Sequence, residues 1–212
     1  MAAHSGADGL LQVRREPAEK KKTMAMLKSS VSDGDHMQGS ERSEVTLVEY
    51  GDYQCPYCGE AYATVKEIKR YFGDRLRFVF RNFPLSEIHP EAFPAAIVAE
   101  FAGTHGQFWL AHDVLFENQR SLGRPLYSEV FVMLDLPGSE LQQRMRYENL
   151  KSRIVTDFRG GVRSGVNGTP TFFINSRRHE GPLSFEALAK AITVEVDSAD
   201  TRAAGRDSHA SA

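Results

Sequence analysis

Along residues 45–50, Val45-Thr46-Leu47-Val48-Glu49-Tyr50, β-branched and apolar residues form a short run that reads as a strand. Behind it Ala61, Val65, Ile68 and Phe72 recur at helical spacing, and Gly73 stands where a helix C-cap is wanted. Residues 75–83 then alternate Leu76, Phe78 and Phe80 against Arg75, Arg77 and Arg81, the pattern of a half-buried strand. Two strands around a helix make a βαβ unit. From Ile88 to Phe158 the period changes to 3.6, which predicts helices near 91–102, 107–118 and 139–158, with loops at Gly123-Arg124-Pro125 and Pro137-Gly138. Pro94 fits the first of these poorly, because beyond the first turn a proline removes a backbone hydrogen bond, so that helix is expected to start late or to bend. The β pattern returns at 171–175. A turn follows, where Asn175-Ser176 replaces the Asn-Gly that positive φ favours, and a last helix is expected near 185–194, capped by Ser184.

The two ends lack this patterning. Residues 1–40 are rich in Gly, Ser, Asp and Lys with scattered apolar positions, and are expected to be a disordered extension; 197–212 are expected to be a disordered tail. The charged run from Arg14 to Lys22 mixes signs and reads as a solvated segment. The chain has 212 residues, 41% hydrophobic and 25% charged, with a net charge of −2. That composition is ordinary for a globular domain, and the roughly 160 residues between the polar ends suffice for one core. Without a basic stripe, nucleic acid is not an expected partner. No apolar run of the 7–15 residues a leader needs follows Met1, and none near 18 residues would span a membrane; the chain is expected to be cytoplasmic, with no membrane partner.

The chemistry concentrates at Cys55-Pro56-Tyr57-Cys58, which holds both cysteines of the chain. They lie one helical turn apart, directly after the first strand. A Cys-x-x-Cys that follows a strand and opens a helix reads as a redox motif, since unpaired N–H groups and the macrodipole at a helix N-terminus stabilise a thiolate. Cys55 is then the expected nucleophile and Cys58 the resolving thiol. Half of a zinc site is an alternative, but none of the seven histidines has the tight spacing of a structural site, and His105 and His112 lie too far apart. A structural disulfide is another. It would close so short a loop that it adds little stability.

Residues 49–58, Glu49-Tyr50-Gly51-Asp52-Tyr53-Gln54-Cys55-Pro56-Tyr57-Cys58, together with Gly168-Thr169-Pro170-Thr171-Phe172-Phe173-Ile174-Asn175, resemble the DsbA-like branch of the thioredoxin superfamily over about residues 36–195. The resemblance implies an α/β, thioredoxin-like fold with an inserted α-helical domain: 41–86 and 162–196 as the thioredoxin-like part, 87–161 as the insertion. It implies that Pro170 is a cis-proline facing the active-site sulfurs, with the backbone at Thr169 and Pro170, and Pro56 and Tyr57 in the motif, meeting the substrate. Glu49 matches the family's buried acid six residues before the first cysteine, and shares a strand face with Leu47. Its implied task is to accept and return the Cys58 proton, its pKa raised by desolvation; an exposed strand acid is the alternative. Tyr57 stands where strongly oxidising members have histidine. Pro-Tyr is the glutaredoxin pair and implies a less oxidising couple, near about −200 to −230 mV.

The function so expected is thiol–disulfide oxidoreduction on protein thiols and disulfides or on glutathione, by a monomer needing neither cofactor nor metal. The alternatives are a redox sensor without turnover, and a glutathione-dependent isomerase or transferase. His89, His105 and His112 invite catalytic roles but read as a loop residue facing solvent, an unassigned histidine and a helix-packing residue, and are left out of the catalytic set.

Overall fold

The computed structural model describes residues 25–137 and 148–207. The expectations for 1–24, for 208–212 and for the first part of the helix at 139–158, residues 139–147, lie outside the described residues. Five strands form one sheet in the order β1-β3-β2-β4-β5: β1 His36–Gln38, β2 Val45–Gly51, β3 Leu76–Asn82, β4 Thr171–Ile174 and β5 Arg177–Arg178. β2 and β3 are parallel in the register Val45↔Leu76 to Gly51↔Asn82, because the helix α1, Pro56–Phe72, carries the chain back between them. All other neighbours are antiparallel. Between β3 and β4 come α2 (Ala92–Gly103), α3 (Phe108–Glu117), α4 (Arg124–Met133) and α5 (Glu148–Arg163), and α6 (Phe185–Asp207) closes the described chain.

The alternation along β2 sorts its side chains onto two buried faces. Val45 and Leu47 join Phe78, Phe80, Phe172 and Ile174 on one, against Val65 and Ile68 of α1, Leu188 and Ile192 of α6, and the insertion helices. Val48 and Tyr50 join Val79 and Phe173 on the other, against Phe83, Phe158 and Leu27. Burial of each large apolar side chain contributes about 1.5–3 kcal/mol, so both faces stabilise the sheet. On the second face α5 comes close because Gly161 has no side chain. A Cβ there would lie 2.7 Å from the Phe83 ring and 3.0 Å from Tyr50.

α2 begins at Ala92, so Pro94 falls in its first turn, where a backbone N–H has no intrahelical partner to lose. Arg124 and Pro125, read as loop, open α4, with the proline again in the first turn. The β4–β5 hairpin turns in two residues, Asn175 (φ 44°) and Ser176 (φ 71°). Both are left-handed. Asn175 is held there by its own side chain, whose Oδ1 accepts the Thr46 N–H at 3.0 Å.

Two expectations about the ends are corrected. Residues 25–40 are ordered: β1 pairs with β3, Met26 bridges to Arg177, and Leu27, Val31 and Met37 pack on the second face. Polar contacts hold this segment. Arg81, 3% exposed, donates to both Asp35 oxygens at 2.8 and 3.0 Å and to the Ser29 and Ser30 carbonyls, while His36 meets the Glu100 carboxylate at 3.0 Å and stacks on Phe108. At the other end α6 runs on through Asp207, with Val196 buried and Asp200 paired to Arg75 at 3.0 Å.

Candidate active site

Cys55 is the N-cap of α1, with extended backbone (φ −68°, ψ 120°) and no side-chain cap, and Pro56 at the first helical position has no N–H to leave unsatisfied. The turn is closed by the Cys58 and Gly59 N–H groups donating to the Cys55 carbonyl at 3.0 and 3.1 Å. Both cysteines are free thiols; Cys55 is 4% exposed and Cys58 fully buried. Pro56 and Tyr57 are exposed on the outside of the turn, Tyr57 by 68%.

From the loop before β4, the Thr169 carbonyl accepts the Cys55 thiol at 3.3 Å, and the Thr169–Pro170 peptide bond is cis. Residues 114 positions apart are thereby joined. The Thr169 hydroxyl is buried on the same side. Glu49 lies on β2 between its cross-strand partners Phe80 and Phe172, on the face that carries α1. It is 3% exposed, and its Oε1 has no hydrogen-bond partner.

The two thiols are driven apart in acidity. The Cys58 thiol hydrogen-bonds the Cys55 sulfur and is the main cause that brings Cys55 down to about 5; burial opposes this, while the Thr169 side chain and the Cys58 and Tyr57 N–H groups assist. Cys58 is pushed well above the usual thiol range, first by burial, then by its bond to Cys55 and by the charges of Glu49 and Cys55. Glu49 is pushed up to about 8, by burial first and then by the Cys55 charge, with Lys69 pulling the other way. The arrangement can therefore hold one thiolate, one thiol and one carboxylic acid in electrostatic contact near neutral pH.

Residues left out of the expected catalytic set fix this geometry. Asp52, 1% exposed, accepts the Gln54 N–H at 2.8 Å, the Leu85 N–H at 2.9 Å and His89 Nδ1 at 2.8 Å. Gln119, just beyond α3, donates from Nε2 to the Tyr53 and Cys55 carbonyls, both at 2.8 Å. His89 is thus engaged beside the motif rather than merely facing solvent. His112 is buried on α3, hydrogen-bonded to the Tyr53 hydroxyl at 3.1 Å, and burial drives its pKa well below the usual imidazole value, which leaves it neutral. His105 meets the Phe101 carbonyl at 3.1 Å. Among the described residues no group of three or more His, Cys, Asp or Glu is placed to hold a metal ion.

Residues 31–193 match the family model described as Thioredoxin. In sequence the chain is 43% identical over 165 residues to the Na(+)/H(+) antiporter NhaA 1 of Salinispora arenicola, covering 76% of this chain and 24% of that protein. It is 40% identical over 177 residues to the Na(+)/H(+) antiporter NhaA 3 of Salinispora tropica, covering 82% and 26%. The chain spans about a quarter of the length of these curated relatives. In structure it is similar to oxidised BdbD of Bacillus subtilis, with a TM-score of 0.72 at 22% identity, over 82% of this chain and 100% of that one. Alpha-DsbA1 of Wolbachia pipientis gives 0.71 at 18%, over 81% and 96%. The family match over most of its length places the chain in the thioredoxin family, and the likeness to these two solved structures gives it the DsbA-like form of the fold.

Proposed function

We propose that the chain is a thiol–disulfide oxidoreductase in which Cys55 exchanges with a substrate disulfide and Cys58 resolves the adduct. The single observation that carries this reading is the placing of two free thiols one turn apart, Cys55 at the N-terminus of α1 against the Thr169 carbonyl and Cys58 buried behind it, beside the buried Glu49, whose Oε1 has no hydrogen-bond partner. With a pKa of about 5, Cys55 is a thiolate at neutral pH. It attacks one sulfur of a substrate disulfide, a Cys55–substrate disulfide forms, and the other substrate sulfur leaves as a thiolate. In the mixed disulfide the Cys55 charge that helps to hold Glu49 protonated is gone, so Glu49 gives its proton to water; its carboxylate then takes the Cys58 proton, and the Cys58 thiolate attacks the Cys55 sulfur. The Cys55–Cys58 bond forms as the mixed disulfide breaks, and the substrate departs reduced. Run backwards, the same steps oxidise a dithiol. Stabilising the Cys55 thiolate favours the reduced pair and so favours donating the disulfide.

The partners in this reading are protein thiols and disulfides or glutathione, which meet Cys55 beside Thr169, Pro170 and the exposed Tyr57. The antiporter name belongs to proteins of which the chain matches about a quarter. Among the described residues no helix is long and apolar enough to cross a membrane, and the shared quarter is read as the thioredoxin-type module. The test is capture with Cys58→Ser, in which attack proceeds and resolution cannot. Adducts that dithiothreitol releases are expected from this variant and not from Cys55→Ser; the reverse pattern, or none from either, overturns the assignment.

A further inference from the structure

Resolution needs Cys58 to lose a proton inside the protein, where burial, Glu49 and Cys55 all oppose ionisation. One group acts the other way. The Asp52 backbone N–H points at the Cys58 sulfur from 3.4 Å, the contact that favours the charged form. Where that N–H points depends on how Asp52 is held, and its carboxylate is held from outside the motif. Oδ1 accepts the Gln54 N–H. Oδ2 takes both the Leu85 N–H and His89 Nδ1. The segment that presents these two donors is itself closed, because the Leu85 carbonyl accepts the Ile88 and His89 N–H groups at 3.0 and 2.9 Å. The Asp52 side chain is fully buried, while the His89 ring retains 17% exposure. The histidine is therefore the accessible end of a chain of contacts running from surface to imidazole, carboxylate, backbone N–H and resolving sulfur.

We propose that His89 is a positioning residue for the resolving step: through the Asp52 carboxylate it fixes the N–H that receives the developing Cys58 thiolate. This rests on the exchange reading above and deepens it. His89 touches neither substrate nor sulfur, so its loss leaves the entry of Cys55 into a mixed disulfide intact and slows the exit from it. The carboxylate fixes the donor as Nδ1–H, and the amide of Asn presents an N–H at nearly the same place on a shorter side chain.

The test separates entry from exit with an aryl disulfide, dithiobis(nitrobenzoate), at one equivalent per reduced protein. Attack by the Cys55 thiolate forms Cys55–S–S–aryl and releases one coloured aryl thiolate at a rate that scales with reagent. Cys58 then gives up its proton, attacks the Cys55 sulfur and expels the second aryl thiolate in a unimolecular phase. For His89→Ala the second phase is expected to slow roughly three- to tenfold, the worth of one hydrogen bond, with the first phase unchanged; His89→Asn is expected to restore it. A second phase unchanged in His89→Ala, or both phases slowed together with no rescue by His89→Asn, overturns the positioning role. Failure of the parent protein to show a second phase overturns the exchange reading itself, so the two can be told apart.

Discussion

Replacing Glu49 with Gln is expected to stabilise the reduced protein at alkaline pH while slowing the resolving step. In the fold this acid titrates at about 8 instead of at the ordinary 4.5, chiefly because it is buried. A raised acid pKa means that the folded state holds the proton more tightly than the unfolded chain does. Stability is therefore lost as pH rises from about 4.5 to about 8, the interval in which only the folded state is protonated. At about 1.4 kcal/mol per unit the cost is about 1 kcal/mol at pH 5 and about 4 kcal/mol at pH 8. Glutamine keeps the shape and removes the titration. The stability of Glu49→Gln minus that of the parent should therefore grow by roughly 3 kcal/mol between pH 5 and pH 8. Any cost of burying an amide appears equally at both pH values and cancels. Urea unfolding of the reduced proteins at the two pH values gives the number, and the aryl-release assay gives the rate of the second phase, which should fall. A difference that is flat with pH would refute the buried-acid argument, and an unchanged second phase would refute the proton-transfer role.

Two further outcomes follow from the same contacts. A chain starting at Gly39 should unfold at least about 3 kcal/mol more easily than the full chain, because it loses the β1–β3 pairing and the apolar contacts of Leu27, Val31 and Met37 together with the Asp35–Arg81 and His36–Glu100 pairs; an unchanged melting midpoint would mean that the segment contributes nothing. Thr169→Val should raise the pKa of Cys55, since it removes a buried hydroxyl that favours the thiolate; thiolate absorbance followed against pH reports it, and an unmoved midpoint would assign the effect to the backbone alone.

The parts of the fold legible in the sequence are those written in apolar periodicity. β2, α1 and β3 carry their burial on alternating or helically spaced side chains, so their existence and the face of Glu49 beside Leu47 can be read directly. Residues 25–40 escape such reading because their order depends on polar partners far along the chain. Asp35 and His36 look like tail residues until Arg81 and Glu100 are brought to them. The extension of α6 is hidden for a related reason: small and polar residues suit a frayed end, and it is Val196 and the Asp200–Arg75 pair that tie the helix down. In the site, the two thiols and Glu49 are announced by type and spacing. Asp52 and Gln119 are not, because their side chains meet backbone N–H and carbonyl groups that every residue has, and His89, one of three histidines that invite a role, has no visible partner until the fold brings it to Asp52.

The central claim, that one thiol is held ionised and the other held protonated beside it, is tested most directly by alkylating the reduced protein with iodoacetamide across pH 3–9 and mapping the modified cysteine. Modification is expected at Cys55 first, with a rate that titrates at about 5, while Cys58 stays protected. Modification of both cysteines together with a common midpoint near about 8.5, the value of an unperturbed thiol, would contradict it.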